Sequence, residues 1–160
     1  MRHLEINAHV PDQRATDVYS RLCDFERYSE FSSAVRSVKI NVSKEGQMIS
    51  TWETNFRDGI LRWVEKDYFD PVTATIAFQQ TEGDIEHFSG NWKVEPLNEG
   101  ALICFTAQFD MGIPSLSKIL DPIAEQALRE NIIAIIQGLF GNHVEVMPDG
   151  VRVNQEQSVG

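Results

Sequence analysis

"DPIAEQALRENIIAIIQGLFG", residues 121–141, decides how the rest of the chain must be arranged. Ala124, Leu128, Asn131, Ile132, Ile135 and Leu139 recur at the spacing of one helical face. Asp121 suits an N-cap, Pro122 the first helical position and Gly141 the position after the last turn. The expected helix runs about 19 residues, roughly 28 Å at 1.5 Å per residue. Upstream the period changes to two. "HLEINAHV", "VRSVKINVS", "MISTWETNF", "LRWVEKDYF", "TIAFQQTEG", "HFSGNWKVEP" and "ALICFTAQFDM" each alternate or read as strands. Short turns join them, among them "KEG", "RDG", "FDPVT" and "LNEG", so successive strands pair antiparallel as a meander. Between the first two strands, "QRATDVYSRLCDFERYSEF" holds one short amphipathic helix and a second short helix or turn, with Asp24 a candidate cap.

A sheet with one apolar face must cover it, and the long helix is the element able to do so. The expected class is α+β: a curved antiparallel sheet of six or seven strands wrapped around a long C-terminal helix. A single domain over residues 1–145 and a tail over 146–160 follow from this reading.

The bulk composition narrows the function. The 160 residues suit one domain with a real core. A net charge of −10, from 14 basic against 24 acidic side chains, argues against nucleic acid or an anionic membrane surface as the main partner. No apolar run approaches the roughly 18 residues of a membrane span, and "MRHLEINAHV" lacks the apolar stretch of a signal peptide. The expected location is cytoplasmic. Cys23 and Cys104 have no metal or redox spacing and read as core thiols. The four histidines are scattered, whereas zinc wants three or four clustered ligands, so no metal is expected.

One strand raises a question. In "LRWVEKDYF", residues 61–69, the face that begins with Leu61 and Trp63 continues into Glu65 and Asp67. Either the strand ends near Glu65 and both acids are solvated, or they face a pocket. In an apolar pocket two close carboxyls push each other's pKa values apart, which yields an acid and a base. The reading adopted is that Glu65 faces a cavity and Asp67 lies near its rim. Neighbouring strands and the helix would supply Trp52, Phe56, Trp63, Phe78, Gln80, Phe88, Trp92, Phe105 and Asn131 as ligand-binding residues. That wall is aromatic with few polar groups, as small-molecule sites are. It also has the composition of a plain core. Asn131 would bond either a ligand carbonyl or a neighbouring strand.

The order of elements and several stretches resemble the START-like superfamily with the helix-grip fold, also called SRPBCC. The nearest likeness is to its polyketide cyclase/dehydratase group, which includes aromatase/cyclases and the related coenzyme Q-binding START-type proteins. "VYSRLCDFERYSEF", "LRWVEKDYFDPVTATIAFQQTEG", "HFSGNWKVEP", "ALICFTAQFDM" and "LRENIIAII" carry it, each on the element where the family has its counterpart. Three positions depart. Asp67 stands where the aromatases carry a pocket Arg, Ala34 or a neighbour where they carry a pocket Tyr, and Tyr28-Ser29 where Trp-Pro is usual. The resemblance implies a cofactor-free cyclase that binds a reactive polyketide-type intermediate, and the phase of Glu65 and Asp67 with Trp63 makes them the expected proton-transfer groups. The alternative it implies is a non-catalytic carrier of a quinone, lipid or other hydrophobic molecule. Residues 25–34 and 111–120 would close the cavity. A homodimer is left open.

Overall fold

A computed structural model describes residues 1–56, 59–112 and 117–148. Strand β1 (Arg2–Pro11) leads into helix α1 (Ala15–Cys23), a 3-10 turn (Phe25–Arg27) and the four-residue helix α2 (Tyr28–Phe31). Six strands follow: β2 (Val35–Lys44), β3 (Gln47–Phe56), β4 (Gly59–Asp70), β5 (Thr75–Gly83), β6 (His87–Leu97) and β7 (Gly100–Asp110). Helix α3 (Ser117–Phe140) and the two-residue strand β8 (Glu145–Val146) complete the described chain.

All the strands belong to one antiparallel sheet in the order β2-β3-β4-β5-β6-β7-β1-β8. The meander from β2 to β7 is the one that the alternation implies. β1 closes onto β7, which puts the chain's first strand beside the last long one. β8 is the strand that the sequence did not announce. It pairs Val146 with Ala8 and Glu145 with His9, one residue past the expected end of the domain. The sheet's buried face and α3 share one core, in which Ala124, Leu128, Ile135, Ile136 and Leu139 of the helix meet Leu4, Ile6, Ile76, Ile103, Phe105 and Phe109 of the strands.

The helix begins earlier than its caps suggested. It starts at Ser117, so Pro122 lies within it and Asp121 is a buried helical residue rather than a cap. Proline removes one N–H donor but its φ is helical, so one missing bond near the start is tolerated. Gly141, with φ +95°, ends the helix as expected, and its N–H is bonded to the Gln137 carbonyl. Asp24 precedes the 3-10 turn without a side-chain capping bond, which corrects its expected role. Residues 57 and 58 of the "RDG" turn, 113–116 of the expected 111–120 closure, and the tail from 149 lie outside the described residues. Cys23 and Cys104 are free and half-buried rather than fully in the core.

Two glycines let elements approach closely. A Cβ on Gly138 of α3 would collide with the Phe31 carbonyl oxygen, so only glycine lets α2 pack against the helix here. A Cβ on Gly83 would lie 2.5 Å from Cβ of Trp63. Gly83 follows a bulge in β5, where Trp63 pairs with Gly83 and Val64 with Glu82 but Glu65 pairs with Gln80. The extra residue, Thr81, sharpens the local twist beside Glu65.

Candidate functional site

β4 answers the question posed by its sequence. Leu61, Trp63, Glu65 and Asp67 are all buried, while Arg62, Lys66 and Tyr68 are exposed. The strand continues to Asp70, so Glu65 is in mid-strand, and neither acid is at a solvated end. Glu65 is 4% exposed and faces a cavity between the sheet and α3. Asp67 is 0% exposed and sits behind Glu65 rather than at the rim, which corrects its expected place.

β3 lies beside β4 with Trp52 opposite Trp63 and Ser50 opposite Glu65. That register builds a buried polar chain. The Trp52 indole N–H donates to Ser50 Oγ at 2.9 Å, and Ser50 Oγ donates to Asp67 Oδ2 at 2.6 Å. From the other side, the Trp63 indole N–H donates to Glu65 Oε1 at 2.6 Å. Glu65 and Asp67 follow one another on the same buried face of β4, and each shifts the other's titration.

These bonds and the burial shift both carboxyls. The Ser50 hydroxyl is short and points at Asp67, as expected for a charge-assisted bond to a carboxylate. Asp67 Oδ1 is buried without a hydrogen-bond partner. Burial first, then the neighbouring Asp67 carboxyl, hold the Glu65 pKa well above the ordinary carboxylate value, against the opposing pull of the Trp63 N–H. Burial also raises Asp67, while Glu65 and the bond from Ser50 pull it down. Both carboxyls therefore hold their protons to higher pH than isolated ones, Glu65 the more strongly.

The wall around Glu65 is aromatic. Trp52 and Trp63 stack with planes 3° apart and centroids at 5.7 Å. Trp63 meets Phe88 edge-on, Phe78 stacks with Phe105, and Trp92 meets Phe105 edge-on. Of the residues expected to bind ligand, Trp52, Trp63, Phe78, Phe88, Trp92, Phe105 and Asn131 line the cavity. Phe56 and Gln80 do not. Phe56 is partly buried and packs against the core, and the Gln80 amide donates to the Ile85 carbonyl. Asn131 donates to the Asn55 carbonyl at 2.7 Å, so it binds a neighbouring strand while its side chain still reaches the cavity.

Phe25, Tyr28, Thr54 and Ile132 complete much of the lining. Tyr28 is 0% exposed, with its hydroxyl donating to the Leu22 carbonyl, so burial holds its phenol neutral. The Thr54 hydroxyl is buried without a hydrogen-bond partner. The cavity volume is about 40 Å³, room for no more than a few waters. Small-molecule sites commonly measure about 300–1,000 Å³, so this cavity is small for one. Among the described residues no group of three or more His, Cys, Asp or Glu side chains gathers as a metal site would require.

A covered aromatic cavity in a sheet closed by one helix is the architecture of a known family. Residues 12–136 match the model of the family described as polyketide cyclase / dehydrase and lipid transport. The chain belongs to this family. No curated protein matches the sequence. Among solved structures, TTHA0849 from Thermus thermophilus superposes with a TM-score of 0.80 at 22% identity, covering 86% of this chain and 94% of that one. The Zhui aromatase/cyclase from Streptomyces sp. R1128 does so with 0.79 at 20% identity, covering 87% and 91%. The STAR-related lipid transfer protein from Xanthomonas axonopodis gives 0.61 at 14% identity, covering 85% and 83%. At these identities the structures establish the helix-grip fold. Both branches of the polyketide cyclase family's description fit a cavity made for a hydrophobic small molecule.

Sequence reasoning reached the strand-borne part of this site because alternation reveals facing. It missed Ser50, whose role depends on the register of β3 against β4. It also missed Phe25 and Tyr28, which lie in pieces too short to show a period.

Proposed function

We propose that this protein is a cofactor-independent polyketide cyclase/dehydratase, with the Glu65–Asp67 pair as its proton-transfer device. The observation that carries this reading is a buried Glu65 facing the cavity on an aromatic wall, backed by the buried Asp67, with burial raising both carboxyls. Hydrophobic binding alone gains nothing from two desolvated acids, and perturbed carboxyls of this kind cluster at functional sites.

The chemistry follows from the charge of the pair. With one proton it carries a single negative charge, and burial favours its taking a second. A C–H between two carbonyls of a poly-β-keto chain supplies that proton. It passes to Glu65, whose own proton moves to Asp67, and the negative charge moves to the substrate enolate. The enolate carbon then bonds to a ketone carbon within the same chain. The alkoxide so formed takes the proton back from Glu65, and Asp67 returns its proton to Glu65. Loss of water repeats the cycle: the pair takes the next acidic C–H proton, a C=C bond forms, and hydroxide leaves with the returned proton. Proximity in a closed cavity and one acid–base group suffice for both steps.

A second reading, a carrier of a quinone or lipid, is favoured by the almost wholly apolar lining and by the lipid-transport branch of the family. Product analysis with a poly-β-keto substrate separates the two. Glu65→Gln keeps a donor toward Asp67 but cannot shuttle a proton. It should fold and bind while turnover falls by about 10² to 10⁴, the usual worth of an acid–base group. Unchanged product formation by both Glu65→Gln and Asp67→Asn would transfer the case to the carrier.

A further inference from the structure

The cavity has a second polar point, distant from the acid pair and not used by the chemistry above. Thr54 is 3% exposed, and its hydroxyl lines the cavity without any hydrogen-bond partner. A buried hydroxyl left unpaired is a cost to the fold, and each such group in a native structure calls for an explanation. Asn131, on the facing helix, lines the same cavity. Its amide nitrogen is taken by the Asn55 carbonyl, one residue beyond Thr54, which leaves its carbonyl oxygen as an acceptor. The register sets the distance. Ser50 lies opposite Glu65 and Thr54 opposite Leu61, so the two polar points are four residues apart along the paired strands, about 13 Å. The flat faces of Trp52 and Trp63 occupy the interval.

We propose that Thr54, with Asn131 beside it, is a ligand subsite that holds a hydroxyl or carbonyl at the far end of a flat, hydrophobic ligand whose other end reaches Glu65. The ligand class is an elongated bicyclic or tricyclic body, or a chain folding into one, with an oxygen at both ends of its long axis. The Thr54 hydroxyl serves either kind of oxygen, since it both donates and accepts. Both oxygens being held fixes which carbon stands at Glu65, so the subsite determines where ring closure begins. The inference rests on the cavity's being the substrate site, but binding alone tests it, without turnover.

The test is calorimetric titration of the protein with 2,6-dihydroxynaphthalene, which has oxygens at both ends, and with 2-naphthol, which has one. The expected result is binding of the dihydroxy probe about tenfold more tightly. Thr54→Val should abolish this preference while leaving 2-naphthol affinity within about twofold, and Thr54→Ser should retain it. Thr54→Ala replaces the valine variant if that one does not fold. The apo protein should melt no lower in Thr54→Val, because the hydroxyl removed had no partner. An equal preference in Thr54→Val and wild type, or no binding of either probe at millimolar concentration, overturns the subsite. Glu65→Gln should keep the preference, so loss of turnover there and loss of preference at Thr54 are independent results.

Discussion

At the scale of single residues, Glu65 is a group whose protonation the fold controls strongly. Its ordinary value is 4.5, and burial beside Asp67 raises it well above that. Between the two values the folded chain holds a proton that the unfolded chain has released. Stability is therefore greatest at or below the ordinary carboxylate range, and it falls as pH rises towards the folded-state pKa. Asp67, raised from 3.8, adds the same sign of slope from slightly lower pH. Each pH unit inside the window costs at most about 1.4 kcal/mol per group. The melting temperature of Glu65→Gln measured from pH 5 to 9 should accordingly be flatter than that of the wild type. An identical slope in the two proteins would show that Glu65 loses its proton as readily folded as unfolded.

At the scale of elements, the contact between α2 and α3 is set by Gly138. Glycine within a helix ordinarily costs about 1 kcal/mol against alanine, so Gly138→Ala would be stabilising if the position were open. Here the added methyl would collide with the Phe31 carbonyl, which belongs to backbone and cannot swing away. Overpacking of this kind costs about 1–3 kcal/mol, so denaturant unfolding should show Gly138→Ala to be destabilised. A more stable variant would mean that α2 moves aside freely. The same two helices show where sequence reading runs out. The seven long strands were legible because alternation is a local signal. The start of α3 was not. Asp121-Pro122 is a strong local signature, but the helix already starts at Ser117 and Asp121 is buried within it, and proline is tolerated that close to a helix start. Tyr28 and Phe25 were opaque for the opposite reason: a four-residue helix and a single 3-10 turn have no periodicity, so only the fold reveals which face they turn to the cavity.

At the scale of the whole molecule, a ring-sized ligand of the kind proposed would have to widen a cavity of about 40 Å³, so its binding would be coupled to movement. The sheet is hydrogen-bonded from edge to edge, whereas residues 25–31 are held by short helices and ring contacts such as Phe25 with Tyr28 and Trp52. Opening is therefore expected in that segment and in the facing part of α3, near Leu128 to Ile135. Hydrogen exchange measured with and without 2,6-dihydroxynaphthalene should show both segments protected on binding. Saturation at one hundred times Kd should add about 2.7 kcal/mol to stability. Protection confined to the outer sheet face would locate the ligand elsewhere.

The stacked tryptophans have a consequence of another kind. Trp52 and Trp63 lie nearly parallel, and their indole N–H groups end on opposite arms of the same acid chain, one on Ser50 and one on Glu65. Indole emission responds to charge nearby and to bonding at its nitrogen, and two parallel chromophores this close couple their electronic transitions. Any transfer of a proton within the pair, or any flat molecule wedged against the rings, must alter both the fluorescence and the near-ultraviolet circular dichroism. The wall of the cavity thus carries an optical gauge of the carboxyl pair beside it, and no label has to be attached to read it.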